Sequence, residues 1–367
     1  VQGFGIIPHF SYGEGAQRIA ELEAMYGLNP APEKIAGVAV LTTPHFAPQG
    51  GMDSWKFFTL AFCMMAGTAS LPHILMRYFT TPSVRSARKS VAWSLWFIFL
   101  LYFTAPVLAT LTKLQLLDPD LPTSIIGKPF AEVAALEWVK NWSEVGYLAI
   151  RDFNNDGILQ LNEFFMRADI VVLATPEIAG LPYVISGLVA AGGMAAAMST
   201  ADGLLLAIAN ALSHDMYYKI IDPSADTRKR LIVARVILVF IGVAAALIAS
   251  LQLTGILGAV AWAFCFACSG LFFPLALGIW WKRANGPGAI AGMLAGFICG
   301  SWYLYHVYNG GTPWFGIDHI RFGMIGMPAS LIAMVVVTLL TPAPSKEIQD
   351  MVDEVRVPGG STIISAH

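Results

Sequence analysis

Seven stretches of the 367-residue chain, at about 57–79, 91–113, 182–213, 231–253, 255–281, 288–308 and 324–341, are apolar for about the 20 residues that a helix needs to cross a bilayer. We call them spans A to G. Hydrocarbon offers no water to a peptide group, so such runs fold as helices that satisfy their own N–H and C=O groups. The chain is 56% hydrophobic and 13% charged, far below the roughly 25% charged residues of a soluble domain. An all-α integral membrane fold follows, with the lipid bilayer as first partner. The net charge of −2 gives no reason to invoke nucleic acid. Cys63, Cys265, Cys268 and Cys299 all fall in apolar runs. The Cys265–Cys268 pair, without a second pair or a nearby histidine, reads as packing rather than as a metal or disulfide site.

Charge orients the spans. Arg85, Arg88 and Lys89 lie between A and B, Lys219 and Arg228 to Arg230 between C and D, and Lys282 and Arg283 between E and F. The positive-inside rule puts these connections in the cytoplasm. The 114–181 connection carries ten acids against far fewer bases and falls outside. The expected organisation is an external segment 1–56, helices A and B over 57–113, an external loop 114–181, helices C to G over 182–341, and a cytoplasmic tail 342–367. Residues 13–26 read as a short amphipathic helix and the Pro- and Gly-rich run to Gly51 as loop. With no initiator Met and no leading span, the chain reads as a segment that has lost its amino-terminal part. Span F carries Gly288, Gly292, Gly296 and Gly300, one glycine face that either packs inside the subunit or seams a homo-oligomer.

Two spans carry residues that lipid does not favour. In span A, Gly67, Thr68, Ser70 and Pro72 interrupt the helix. They form either a simple proline kink or the broken helix with which transporters line a substrate path. His73 and Arg77 lie toward its cytoplasmic end, as interfacial or gate residues. In span C, Ser199, Thr200 and Asp202 sit among alanines and leucines. A mid-bilayer acid costs about 3 kcal/mol or more and must face a cavity, a cation or a proton donor. The hydroxyls bond back to their own helix or supply hard oxygen ligands to a cation.

The stretches GTASLPHILMRYFT and RSARKS, the STAD of span C and the SHDMY that closes it resemble the sodium/solute symporter family, closest to its acetate-permease-like, cation/monocarboxylate branch. The similarity runs from about residue 55 to about residue 300. The resemblance implies a leucine-transporter-like inverted-repeat fold, with spans A to E as the second repeat and two extra C-terminal helices. It also implies a sodium site at Ser199 and Thr200, completed by carbonyls from the first repeat. Here the chain departs from its nearest branch, because the Ser-Thr pair belongs to the proline and iodide branches. Asp202 stands where relatives often have Ser or Thr, which suggests a second cation or a proton-coupled site.

The external loop carries a separate motif. DFNNDGILQLNE, residues 152–163, places Asp152, Asn154, Asp156, the Ile158 carbonyl, Gln160 and Glu163 at the ligand positions of an EF-hand-like calcium loop, with Gly157 at its sharp turn. The flanking runs are expected to form its helices, and the loop to act as a structural clip with weak affinity for Ca²⁺.

The function these features imply is a sodium-coupled symporter of a small organic anion, a short monocarboxylate such as acetate, in the bacterial inner membrane. The alternative is a non-transporting sensor built on a symporter body, which would need a signalling domain beyond span G. His214 and Asp215, at a cytoplasmic helix end, read as capping or gating residues, and no enzyme is expected. Impermeant thiol reagents on intact cells are expected to modify a cysteine placed at Lys128 and spare one placed at Arg85. The reverse pattern overturns the orientation.

Overall fold

A computed structural model describes residues 12–29, 39–40, 44–47, 52–251 and 254–354. Most of the Pro- and Gly-rich run before Gly51, and the tail beyond Glu354, lie outside the described residues. In chain order the elements are α1 (Tyr12–Tyr26), β1 (Ala39–Val40), α2 (Ser54–Ser70), α3 (Pro72–Leu75), α4 (Val84–Leu117), α5 (Phe130–Ala135), α6 (Glu137–Glu144), β2 (Leu148–Ile150), β3 (Phe164–Met166), α7 (Val171–Ile178) and α8 (Tyr183–Asn210). They continue with α9 (Thr227–Ser250), α10 (Ile256–Ala267), α11 (Phe273–Trp280), α12 (Gly286–Tyr308), α13 (Gly323–Leu340) and α14 (Lys346–Glu354). Two π-helical stretches, Ala211–Ile221 and Cys268–Phe272, extend α8 and join α10 to α11.

The all-α membrane architecture holds. Six of the described helices are long and apolar enough to cross a membrane, or up to seven if the pair Ser54–Ser70 and Pro72–Tyr78, bent by 45°, is one span. The chain divides into two compact units: Val1–Met52 with Thr80–Gly255, and Asp53–Phe79 with Ile256–His367.

In the first unit, α4 shows why hydropathy alone places helix ends badly. Its 34 residues extend about 50 Å at 1.5 Å per residue, some 20 Å more than the hydrocarbon layer. The start is capped by Ser83, whose Oγ accepts from Ser86 N at 3.2 Å. Nearly all of the helix up to Pro106 is exposed, but its last three turns bury Val107, Thr110, Leu114, Leu116 and Leu117. Those turns enter an aqueous-type core with Ile19 and Leu22 of α1, Leu159, Leu161 and Phe164, and Ala174 and Ile178 of α7. The three-stranded antiparallel sheet, in the order β1-β3-β2, lies beside this core with the central strand fully buried. α1 is tied to α4 by a buried ion pair between Glu23 and Lys113, whose side chains are 8% and 7% exposed. The Arg18 guanidinium, 2.9 Å from Asp118, holds that carboxyl below the usual range.

The second unit is packed helix on helix. Between 28% and 39% of the apolar windows of Ile256–Trp280, α12 and α13 is buried, against at most 6% in α4, α8 and α9. The glycine face of α12 closes on the same chain rather than on a second copy. A Cβ added at Gly288 would lie 1.9 Å from Thr338 Oγ1, at Gly292 2.8 Å from Met334 Cβ, and at Gly296 1.9 Å from the Ser269 carbonyl oxygen. The buried thiols Cys63, Cys265 and Cys268 pack with Phe322 and Met327 in the same core.

Overpacking a filled site costs about 1–3 kcal/mol or more. Gly296→Ala is therefore expected to lower the thermal unfolding midpoint in detergent by several degrees. Gly242→Ala on α9, where a Cβ meets nothing within 4 Å, is expected to leave it unchanged or higher; equal midpoints for the two variants overturn the packing account.

Candidate functional site

The interruption expected in span A is a real break. α2 ends at Ser70, Leu71 is extended at φ −68° and ψ 117°, and Pro72 opens α3, which tightens into a 3₁₀ turn over Met76–Thr80. Pro72 has no N–H to give to the carbonyl four residues back, so the Thr68 carbonyl loses its helical donor. The hydroxyls nearby are spent locally: Thr68 Oγ1 donates to the Met64 carbonyl at 2.7 Å, and Ser70 Oγ to the Ala66 carbonyl at 2.8 Å. Gly67 lets the backbones of α2 and α10 meet, since a Cβ there would lie 2.6 Å from the Phe264 carbonyl oxygen. On the far side of the break, His73 Nδ1 is buried and meets no hydrogen-bond partner among the described residues. Gly67, Thr68, Ser70 and Pro72 thus form one local feature. It exposes main-chain oxygen rather than side-chain hydroxyl protons.

Ser199, Thr200 and Asp202 lie on α8, and all three are exposed. Thr200 Oγ1 donates to the Ala196 carbonyl at 3.2 Å, the back-bond that a membrane threonine makes by default. At about 100° per residue, Ser199 stands between the other two: Thr200 lies about 100° to one side and Asp202 about 60° to the other. Ser199 and Asp202 therefore share a face of α8 from which Thr200 is turned away. Among the described residues Asp202 has no side-chain partner. No three His, Cys, Asp or Glu side chains among them gather as a metal site requires.

Two features escape sequence reasoning. SHDMY does not cap an α-helix but lies within the π-helical stretch Ala211–Ile221. There Asp215 takes His214 Nδ1 at 3.1 Å and Lys219 Nζ at 3.3 Å, while Arg230 covers the Tyr218 ring at 4.1 Å. The second π stretch, Cys268–Phe272, precedes Pro274, which cannot donate to the Gly270 carbonyl. A proline four residues after a glycine in an apolar run was the available signal. π turns inside helices concentrate at functional sites.

The 152–163 loop corrects one expectation. It is flanked by β2 and β3, not by a pair of helices, with Ile150 opposite Phe164. The Asp152 Oδ2 atom accepts from Gly157 N at 3.0 Å, Asn154 Oδ1 from Asp156 N at 3.0 Å, and Asp156 Oδ1 from Ile158 N at 2.8 Å. The bond from Ile158 N holds the Asp156 carboxyl below its ordinary range. Glu163 is buried, and its two oxygens accept from Phe153 N at 2.9 Å and Gln160 N at 3.0 Å.

Long apolar helices, one of them broken at mid-span, define a multi-pass helical membrane protein. Residues 169–296, from the end of the outer core through α8 to α12, match the model of the sodium:solute symporter family. An uncharacterized symporter of Cupriavidus necator is 46% identical over 311 residues, 82% of this chain and 44% of that protein. A monocarboxylic acid transporter of Corynebacterium glutamicum is 28% identical over 244 residues, 66% of this chain and 37% of that protein. The family match and the two bacterial relatives make the chain similar to sodium:solute symporters over most of its length. The chain spans less than half the length of either relative.

Pro72→Ala restores an N–H at the break and returns the Thr68 carbonyl to the helix. Solute uptake is expected to fall at least about tenfold, the effect of roughly 1.4 kcal/mol, at unchanged expression. Wild-type uptake by the variant overturns a role for the break.

Proposed function

We propose that the protein is a sodium-coupled secondary transporter that carries a small organic anion, a short monocarboxylate such as acetate, by alternating access. The observation that carries this is the break at Leu71–Pro72, which frees the Thr68 carbonyl within a membrane helix of a chain similar to sodium:solute symporters. Such breaks bring half-helix ends and main-chain oxygens to ions and anionic solutes near the bilayer midplane. Gly67, Thr68, Ser70 and Pro72 line the substrate path in this account. Ser199 and Thr200 supply oxygen ligands to sodium, and Asp202 serves a neighbouring second cation or a proton. The monocarboxylic acid transporter among its relatives supports the choice of solute class.

A back-bonded hydroxyl is compatible with that role. Thr200 gives its proton to the Ala196 carbonyl and so keeps its lone pairs for a cation. A cation beside Asp202 then offsets the cost of an acid within the membrane.

Vesicles carrying the full-length protein are expected to take up labelled acetate faster under an inward sodium gradient than without one; equal rates overturn sodium coupling. The double change Ser199→Ala and Thr200→Ala is expected to raise the sodium concentration for half-maximal uptake by about tenfold or more, a loss of about 1.4 kcal/mol. Asp202→Asn is expected to move the pH profile or the charge carried per solute more than the affinity for solute. If all three stay at wild-type values, Asp202 is a packing residue.

A further inference from the structure

The loop between β2 and β3 plays no part in transport as proposed above, and a site within it stands or falls independently of sodium coupling. Three of its side chains, Asp152, Asn154 and Asp156, each commit one oxygen to a backbone N–H of the loop. The chain can turn back on itself because Gly157 adopts φ +74°. The remaining oxygens are the informative ones. Asp152 Oδ1 is buried and meets no hydrogen-bond partner among the described residues, a position that costs a carboxylate its hydration and returns nothing. Asp156 Oδ2 is met by two side-chain amides, Asn154 Nδ2 at 2.9 Å and Gln160 Nε2 at 2.7 Å. Two amide nitrogens turned onto one carboxylate oxygen stand in for a positive charge. Glu163 is 1% exposed and keeps one backbone donor on each oxygen, which leaves each a further lone pair.

The backbone adds an oxygen that side-chain counting misses. Residues 157–159 run antiparallel to 127–130: the Gly157 carbonyl accepts from Phe130 N at 2.7 Å, the Leu159 carbonyl from Gly127 N at 2.8 Å, and Leu159 N donates to the Lys128 carbonyl at 2.9 Å. Successive carbonyls of an extended strand point to opposite sides. With those of Gly157 and Leu159 committed to the neighbouring strand, the Ile158 carbonyl faces away from 127–130. Leu159 itself is fully buried in the core of the unit.

We propose that residues 152–163 bind a calcium ion that fastens this loop to the outer core. The ligands are Asp152, Asn154, Asp156, the Ile158 carbonyl, Gln160 and both oxygens of Glu163. That makes about seven oxygens, within the six to eight that calcium takes and more than octahedral magnesium accepts. Binding turns the terminal amide of Gln160 over, so that oxygen replaces nitrogen toward the centre, and uses the second lone pair of Asn154 Oδ1, whose first is held by Asp156 N. The three acids, which do not gather by themselves, close on the charge that the amides now supply. Since the middle of the loop, 157–159, is β-paired to 127–130 and its end continues into β3, the ion stiffens both attachments at once. A single loop at the surface falls in the weak range of extracellular modules, about 10⁻⁴ to 10⁻³ M.

The test is limited proteolysis and thermal unfolding of the purified full chain in detergent, with calcium chloride, magnesium chloride or EDTA. Calcium at a few millimolar is expected to raise the unfolding midpoint by several degrees and to slow cleavage within 114–181, half-maximally at about 10⁻⁴ to 10⁻³ M. Magnesium at the same concentration is expected to do neither. Asp156→Asn, an exposed change, and Glu163→Gln, a buried one, are expected to keep the midpoint seen in EDTA and lose the calcium shift. A wild-type midpoint and digest identical in calcium and EDTA, an equal response to magnesium, or a full calcium shift in Asp156→Asn each overturn the site. If Glu163→Gln does not fold, Asp156→Asn decides alone.

Discussion

Every peptide group that enters hydrocarbon must find its hydrogen-bond partner inside the protein, and this requirement decides where the chain is regular and where it can work. Across most of α4, α8 and α9 the helix meets it within its own backbone. Proline removes a donor at Pro72, where the helix breaks, and at Pro274, where it follows a π turn, whereas α4 and α13 carry Pro106 and Pro328 without interruption. A break of the first kind lets a membrane helix offer main-chain oxygen to a ligand. Four hydroxyls in the spans obey the same rule: Thr68, Ser70, Thr104 and Thr200 each return a proton to a carbonyl one turn back.

Much of this was legible in the residues. Spans D to G end within a few residues of the helices that form, and the Gly67 to Pro72 interruption marks the bent helix pair found among the described residues. Hydropathy failed at the ends of B and C. The last turns of α4 are packed into a water-side core, so their pattern of Thr110, Lys113 and Leu114 no longer looks like lipid-facing sequence. α8 runs on to Ile221 through charged and aromatic residues that pair with one another rather than ending the helix. The turn at Gly157 in the 152–163 loop was legible, but the flanks of the loop were not. Phe164 to Met166 form a strand because their side chains fill a core on both faces, which no local periodicity announces. Which neighbours Ser199 and Asp202 meet depends on packing that three residues of a helix cannot encode.

The chain solves two solvation problems with two kinds of core. In the unit holding α12 and α13, contact is made by subtraction: glycines remove side chains until backbones and small hydroxyls touch. In the outer core, contact is made by addition, with leucine, isoleucine and phenylalanine around a buried ion pair. The first works where lipid competes for every apolar surface and only close approach is gained. The second relies on expelling water.

The pair between Glu23 and Lys113 has a consequence for the outer core itself. The two residues lie 90 apart in the chain, yet their side chains touch, so the body of α1 and the last turns of α4 are held as one piece. Removing either partner leaves the other charge buried without this counter-charge, which costs more than the pair contributes when intact.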